Sequence, residues 1–335
     1  MINKLFTVIS QTTNPYTNVS MEEWLMMNVP EGAVTFYLWQ NERTVVIGRN
    51  QNVWAECRVK ELEEDGGQFF RRLSGGGSVY HDTQNLNFTF LANDEDYDLD
   101  RQSDVILLAM RKLGLNAERT GRNDITIDGK KFSGNAFYQH KGKRYHHGTI
   151  LVDVDTDAMS KYLMPAKAKL ESKGVSSVKS RVVNIKSLVP DLTIDRLKEV
   201  LFEAFDEVYG LKSEPLAQSE IDFDAITKRE EFFSSWEWKY GKNVPFSFET
   251  PSIRFPWGSA QVRLNVEKGV ISASEIFSDA NDGLFIESLN NRLIGQTFDA
   301  ASIRQALDAS FATQEEQKVL LSDIVDLILG DTETK

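Results

Sequence analysis

The sequence predicts an α+β fold: a large domain of mixed and antiparallel sheets with flanking helices, then a small α+β C-terminal domain. Two observations carry that class. Short runs of β-branched and aromatic residues are joined by tight polar turns, with only a few helices among them, which speaks against a doubly wound parallel sheet. The polar stretch from Glu214 to Thr250, with Pro215, Pro245 and Pro251 breaking it, separates the main body from a tail with strands and helices of its own. The expected division is therefore 1–247 and 248–335, and 335 residues suffice for two or three cores.

The elements follow in order. Met1–Ser10 reads as a first strand, with one lysine and neither the apolar run nor the cleavage site of a signal peptide. Ala33–Trp39 and Thr44–Gly48 are strand-like, and Gln40-Asn41-Glu42 between them reads as a hairpin loop. Val53–Lys60 is a helical stretch holding Cys57. Asn85–Phe90 alternates polar and apolar residues, the pattern of a half-buried strand. Ser103–Leu113 predicts a helix with a serine cap and a closing Gly114. Ile125–Ile127 and Lys130–Phe132 flank Asp128-Gly129, a strong hairpin signal, and Tyr145–Val154 is extended after the turn at Lys141–Lys143. Asp195–Tyr209 predicts an amphipathic helix with Leu197, Val200, Leu201, Ala204, Phe205 and Val208 on one side and Gly210 as its stop. In the tail, Ser252–Phe255, Ala260–Val266 and Val270–Phe277 form a predicted meander turning at Glu267-Lys268-Gly269. Helices over about Ala300–Phe311 and Glu315–Leu329 close the chain.

Charge and cysteine usage narrow the function classes. Fifty acidic against 38 basic side chains, a net charge of −12, make nucleic acid a poor partner, because such binding rests on neutralising phosphates. The acidity is uneven. Residues from Phe246 onward hold 14 acids and 7 bases, whereas residues 140–186 hold 10 bases and 4 acids, so a basic face belongs to the first domain. No apolar run approaches the roughly 20 residues of a membrane span, so no membrane association and a cytoplasmic, monomeric protein are expected. Cys57 is the single cysteine, which leaves no intrachain disulfide and no cysteine metal cluster.

Three segments carry candidate chemistry. In Arg71-Arg-Leu-Ser-Gly-Gly-Gly-Ser-Val-Tyr-His-Asp82 three consecutive glycines follow two arginines. Such a loop is either a loose hairpin or a cradle in which main-chain N–H groups and a guanidinium meet an anion. It is not a P-loop, having no Gly-Lys-Ser/Thr, and Tyr80 stands where a dinucleotide fingerprint needs its third glycine. In Gly121-Arg-Asn-Asp124 and the hairpin that follows, Lys131 points opposite Lys130, and Ser133-Gly134 permits close approach beside it. Lysines at such a turn are ordinarily solvated; beside an anion cradle, Lys131 suits a site binding two anions. Asn123 and Asp124 offer oxygens for Mg²⁺ or nucleotide hydroxyls. His146 and His147 are adjacent on a strand and face opposite sides, so they do not chelate one ion: one belongs in the site wall, the other in solvent. Cys57, with no histidine near it in sequence, reads as packed and inert.

Taken together these motifs resemble the lipoate–protein ligases. The resemblance rests on Arg71-Arg72, Ser74-Gly-Gly-Gly77, Val79, His81-Asp82, Gly121-Arg-Asn-Asp124, Lys131 with Ser133-Gly134, and His147-Gly148-Thr149. Val45–Asn52 and Gly174–Arg181 match as well, and the ordered match runs to about residue 190, with the tail similar mainly in length and position. It implies a catalytic domain related to the biotin–protein ligases and a two-step reaction: lipoate and ATP give lipoyl-AMP and pyrophosphate, and a lysine of an acceptor takes the lipoyl group. The acceptors implied are lipoyl domains of 2-oxoacid dehydrogenase complexes or the glycine-cleavage carrier protein. By this resemblance Arg72, Gly75, Gly76, Gly77, Ser78, Val79, Tyr80, Asn123, Asp124 and Lys131 bind ATP. Arg72, Gly77, Lys131, Ser133, Gly134 and His147 bind lipoate, Lys131 is the catalytic centre, and Asp124 holds Mg²⁺. Asn135 and Phe137 stand where relatives vary, so details of the acyl pocket do not carry over. The rival readings are an ATP-independent acyltransferase on the same fold, which uses a cysteine beyond the lysine hairpin, a biotin–protein ligase, and a non-catalytic lipoate-binding protein. The basic stretch 140–186 could face an acidic acceptor, with Lys167, Lys169 and Lys173 its prominent charges.

Overall fold

The computed structural model describes residues 1–121, 123–164, 182–241 and 246–330. Arg122, Gly174–Arg181 and the lysines at 167, 169 and 173 lie outside the described residues.

Two sheets build the larger unit. Strands β1 (Lys4–Ile9), β2 (Ala33–Trp39), β6 (Asn85–Asn93), β7 (Ala117–Thr120), β8 (Asp124–Ile127), β9 (Lys130–His140), β10 (Lys143–Leu151) and β11 (Glu214–Pro215) form one sheet in the order β11-β1-β2-β6-β10-β9-β8-β7. It is antiparallel apart from the parallel pairs β1–β2 and β1–β11. A smaller sheet holds β4 (Gln68–Arg71), β3 (Thr44–Ile47) and β5 (Val79–His81), with β3 central. The mixed α+β class expected from the sequence is the observed one.

One face of the large sheet is covered by helices Leu99–Lys112 and Ile194–Tyr209. Their apolar sides, Phe205 among them, meet Phe36, Phe88 and Phe90 in a closed core. The second helix is capped by the Thr193 hydroxyl and ends at Gly210, whose φ of 63° supplies the left-handed cap. The opposite face carries the small sheet, helix Pro15–Asn28 and helix Phe223–Ser234, around Tyr37, Trp39, Phe70, Tyr145 and Phe233.

Several sequence expectations need correction. β2 and β3 are not a hairpin; they lie in different sheets. Between them Asn41 is fully buried, bonded to Asn18 and near His81, so the segment crosses between layers instead of turning. β6 is buried along its whole length, because the polar face of Asn85, Asn87 and Thr89 is covered by protein and not by water. The helix expected over Ser103–Leu113 begins at the Asp98 cap, with Ser103 inside it. The polar stretch 214–250 contains the helices Phe223–Ser234 and Trp236–Tyr240, of which Ile226 and Phe233 are core residues. By contrast the Asp128-Gly129 turn takes φ values of 50° and 72°, both left-handed as the two-residue hairpin demands.

From Phe248 onward a separate core forms. The expected meander is present as β13 (Ile253–Phe255), β14 (Gly258–Glu267) and β15 (Val270–Ser278), with β12 (Phe248–Glu249) ahead of β13 along the same edge of β14. Its inner face packs on helix Glu315–Leu329 and on helix Gly283–Leu293, which the sequence reading missed; the helix expected over 300–311 is shorter, Ala300–Ala306.

Candidate active site

The glycine loop bridges β4 and β5 and is built around buried arginines. Arg71 turns away from it, donating to the carbonyls of Gly48, Arg49 and Gln51 at 2.7–3.0 Å and to Trp238 O at 3.1 Å. Arg72 turns under the loop. Its Nε donates to Ser74 Oγ at 3.0 Å, and Nη2 donates to Gly75 O at 2.6 Å and Gly77 O at 2.8 Å. Because each peptide is planar and trans, the N–H groups of Gly76 and Ser78 point away from the guanidinium. Burial lowers both guanidiniums to about 10; Glu22 acts on Arg72 only through space, so an anion above the loop would further offset that buried charge.

Lys131 approaches from the β8–β9 hairpin. Its Nζ lies 2.7 Å from Asp124 Oδ1, and both side chains are partly exposed. The lysine lies directly over Gly134, where a Cβ would sit 2.8 Å from Nζ, so any side chain there would displace the lysine tip. Asn135 donates to Asn123 O at 3.0 Å and so holds the loop ahead of Asp124.

Beneath the loop runs a buried polar chain. Glu22, from helix Pro15–Asn28, accepts from Thr89 Oγ1 at 2.7 Å and lies 2.8 Å from His147 Nδ1. His147 Nε2 is 2.9 Å from Ser74 Oγ, which is itself bonded to Arg72. His147 therefore stands in the site wall as expected. His146 is not in solvent: it is 1% exposed on the other face, between Phe88, Phe90 and Phe137, because helices cover that side too.

These groups line a cavity of about 440 Å³. Arg72, Gly76, Gly77, Ser78, Val79, Asn123, Asp124, Lys131, Gly134 and His147 meet there, together with Glu22, Trp39, Val46 and Phe70. Gly75 does not line it, and two further expected residues contribute no side chain. Tyr80 points into the opposite core against Tyr162, and Ser133 is buried away from the cavity. Ser78 Oγ donates to Glu56 at 3.1 Å. Among the described residues no cluster of three histidine, cysteine or acidic side chains could hold a metal by itself.

The C-terminal unit supplies the remaining wall through Arg254, Trp257, Asp279 and Asn281. Gly76 N–H donates to Ala280 O at 3.1 Å, and Asn123 Nδ2 donates to Asn281 Oδ1 at 2.7 Å. Gly75 has no room for a Cβ against the carbonyls of Ala280 and Asn281. Arg49 pairs with Glu287 across the same seam. Glu22, Ser74 and these tail residues were missed, since no spacing in the sequence marks them; only Ser74 lay inside a motif.

Arg72, Lys131 and a glycine loop beside a partly apolar cavity are suited to a ligase that activates a carboxylic acid with a nucleotide. The comparisons agree and narrow it. Residues 14–206 match the lipoyl protein ligase A/B catalytic domain, and residues 245–328 match the bacterial lipoate protein ligase C-terminus. The chain belongs to the lipoate–protein ligase family. It is 38% identical over 307 residues to the lipoate-protein ligase A of Blochmanniella pennsylvanica, covering 88% of this chain and 89% of that protein. It is similar in structure to P. falciparum LipL1, solved in complex with lipoate, with a TM-score of 0.83, 28% identity and coverage of 97% and 99%. A bipartite lipoate protein ligase of Thermoplasma acidophilum, from a study of that ligase and its E2 lipoyl domain, matches with a TM-score of 0.63 at 25% identity, covering 74% of this chain and all of that one.

Proposed function

We propose that this protein activates lipoate with ATP and transfers the lipoyl group to a lysine of an acceptor protein. The observation that carries the reading is Lys131 Nζ, held over Gly134 beside Asp124 and the Arg72-clamped glycine loop. In the first step a lipoate carboxylate oxygen attacks the α-phosphorus of ATP and the bond to pyrophosphate breaks, leaving lipoyl-AMP. Two anions must meet for this. Lys131 neutralises both while Arg72 and the loop from Gly75 to Tyr80 fix the nucleotide, Tyr80 through its backbone. In the second step a deprotonated lysine of the acceptor attacks the lipoyl carbonyl carbon and AMP departs.

Asn123 and Asp124 complete the ATP site, and Ser133, Gly134 and His147 support lipoate beside Arg72, Gly77 and Lys131. Mg²⁺ fits as a companion of the nucleotide, because one carboxylate plus phosphate oxygens is an ordinary magnesium environment; Asp124 would hold it, shielding the phosphates. The acceptors we propose are lipoyl domains of 2-oxoacid dehydrogenase complexes or the glycine-cleavage carrier, served by a monomeric, cytoplasmic enzyme of two domains, 1–247 and 248–335. No described helix is long and apolar enough to cross a membrane. A cysteine-based acyltransferase is disfavoured: Cys57 is 2% exposed in a core apart from the cavity, and burial pushes its thiol up to about 12.

The test is lipoate-dependent exchange of labelled pyrophosphate into ATP, which needs no acceptor. Exchange in the wild type and its loss in Lys131→Ala is the expected result. A well-folded wild type that exchanges nothing would overturn the reading.

A further inference from the structure

The wall of the cavity keeps a hydrogen-bond donor that the fold does not satisfy. His81 is 3% exposed, lines the cavity, and its Nε2 has no partner among the described residues. Which ring nitrogen carries the proton follows from its neighbours. Asn18 Nδ2 donates to Gln40 O at 2.8 Å and Thr12 O at 3.2 Å, and a carbonyl can only accept. The Asn41 amide atom 3.0 Å from that nitrogen is therefore oxygen, since two amide nitrogens do not face each other at such a distance. The other amide atom of Asn41, 3.2 Å from His81 Nδ1, is then the nitrogen. Nδ1 accepts its hydrogen bond, and the proton of the ring sits on Nε2. Burial, with Arg72 and His147 nearby, pushes the ring down to about 3, so it is neutral at working pH.

The position of this donor matters as much as its identity. Val79 and His81, two apart on β5, share the cavity face while Tyr80 takes the other. His81 stands four positions beyond Gly77, a reach of at most about 13 Å, the last three residues of it in β5. A carboxylate held by Lys131 and the glycine loop would leave the far end of an eight-carbon acid within reach of His81, whose ring lies against Trp39 in the same cavity wall.

We propose that the His81 Nε2–H reads the tail of the substrate, donating to a sulfur of the dithiolane ring and so selecting lipoate over acids of the same length with an all-carbon tail. The proposal rests on the lipoate-activating function above and extends it to substrate choice. Sulfur is a weak acceptor, but an all-carbon tail would leave the buried N–H with nothing. A site that hydrogen-bonds its substrate penalises an analogue lacking the partner. Asn87, 1% exposed on the same wall, keeps one amide atom unpartnered, so this part of the cavity is polar where an alkyl chain alone would need it apolar.

The decisive comparison is lipoate against 5-cyclopentylpentanoic acid, the same skeleton with carbon in place of sulfur, in the pyrophosphate-exchange assay on the wild type. The carbocycle should show kcat/KM lower by about tenfold, chiefly through KM. His81→Leu should bring the two acids within about twofold of each other. His81→Gln, which returns an N–H near the Nε2 position, should restore the preference. Robust exchange with lipoate but equal treatment of the two acids by the wild type would overturn the proposal. An unchanged preference in folded His81→Leu would do so as well. If His81→Leu fails to fold, the wild-type comparison decides alone. Absence of exchange with either acid would instead refute the ligase function on which the proposal stands, and the proposal with it.

Discussion

Replacing Gly134 by alanine moves the reacting lysine while leaving the core alone. The added Cβ would lie 2.8 Å from Lys131 Nζ and 2.9 Å from Cε, against about 3.5 Å for an unstrained contact between such atoms. The lysine tip must therefore shift by about 0.7 Å. It is the free end of a flexible chain, and Gly134 is not among the residues with positive φ, so the cost to folding stays within about 1 kcal/mol. The chemistry has less tolerance. Misplacing a reacting group by about 1 Å can cost on the order of a hundredfold, so a 0.7 Å shift should slow adenylation by roughly 10- to 100-fold, or about 1.4–2.7 kcal/mol in the barrier. Pyrophosphate exchange measures the rate, and a thermal melt of the same sample measures the fold. An exchange rate within twofold of wild type, with an unchanged melt, would show that Lys131 does not act on the anions from where the structure puts it.

Gly148→Ala should behave in the opposite way, because a Cβ there would meet Phe88 Cζ at 2.5 Å and Asn135 Oδ1 at 2.8 Å in a packed interior; a loss of about 1–3 kcal/mol should appear in urea unfolding. His81 and His146, both pushed down to about 3 by burial, bind fewer protons folded than unfolded. Their contribution is full above about pH 6.5 and is lost as the pH falls toward 3, by up to about 1.4 kcal/mol per pH unit each. Urea midpoints that stay level between pH 6.5 and 5 would contradict their neutral burial. Cys57 should resist a water-soluble thiol reagent in the native protein and react fully in denaturant; fast native labelling would contradict its packing.

Local chemistry was the legible part of the sequence. The Asp128-Gly129 turn, the Gly210 stop and the meander around Lys268-Gly269 were readable because each depends on backbone conformations that few residues take. The glycine triplet after two arginines marked the loop as a candidate, but the motif alone left a loose hairpin and an anion cradle both open. What stayed hidden depends on distance along the chain. The alternation in Asn85–Phe90 is genuine, yet its polar side is buried by protein, with only Asn87 reaching the cavity wall, and alternation alone cannot tell this from solvent. Glu22 looks like any helix glutamate until β10 brings His147 against it. The stretch after Glu214 reads as a linker because its helices are short and largely charged, and their few apolar residues matter only against helix Pro15–Asn28.

The parallel pairing of β1 with β11 carries a consequence for how the chain comes off the ribosome. Phe6 sits opposite Glu214, Glu23 is paired with Arg229, and Trp238 Nε1 bonds Arg71 O at 2.7 Å. Strand β1 therefore has to wait for more than two hundred further residues of synthesis before its outer partner exists. Contacts of such long range are slow to form, and until they do the nascent strand exposes an open edge to its neighbours. Production of this enzyme should thus be more sensitive to translation speed and chaperone supply than its 335 residues alone would suggest.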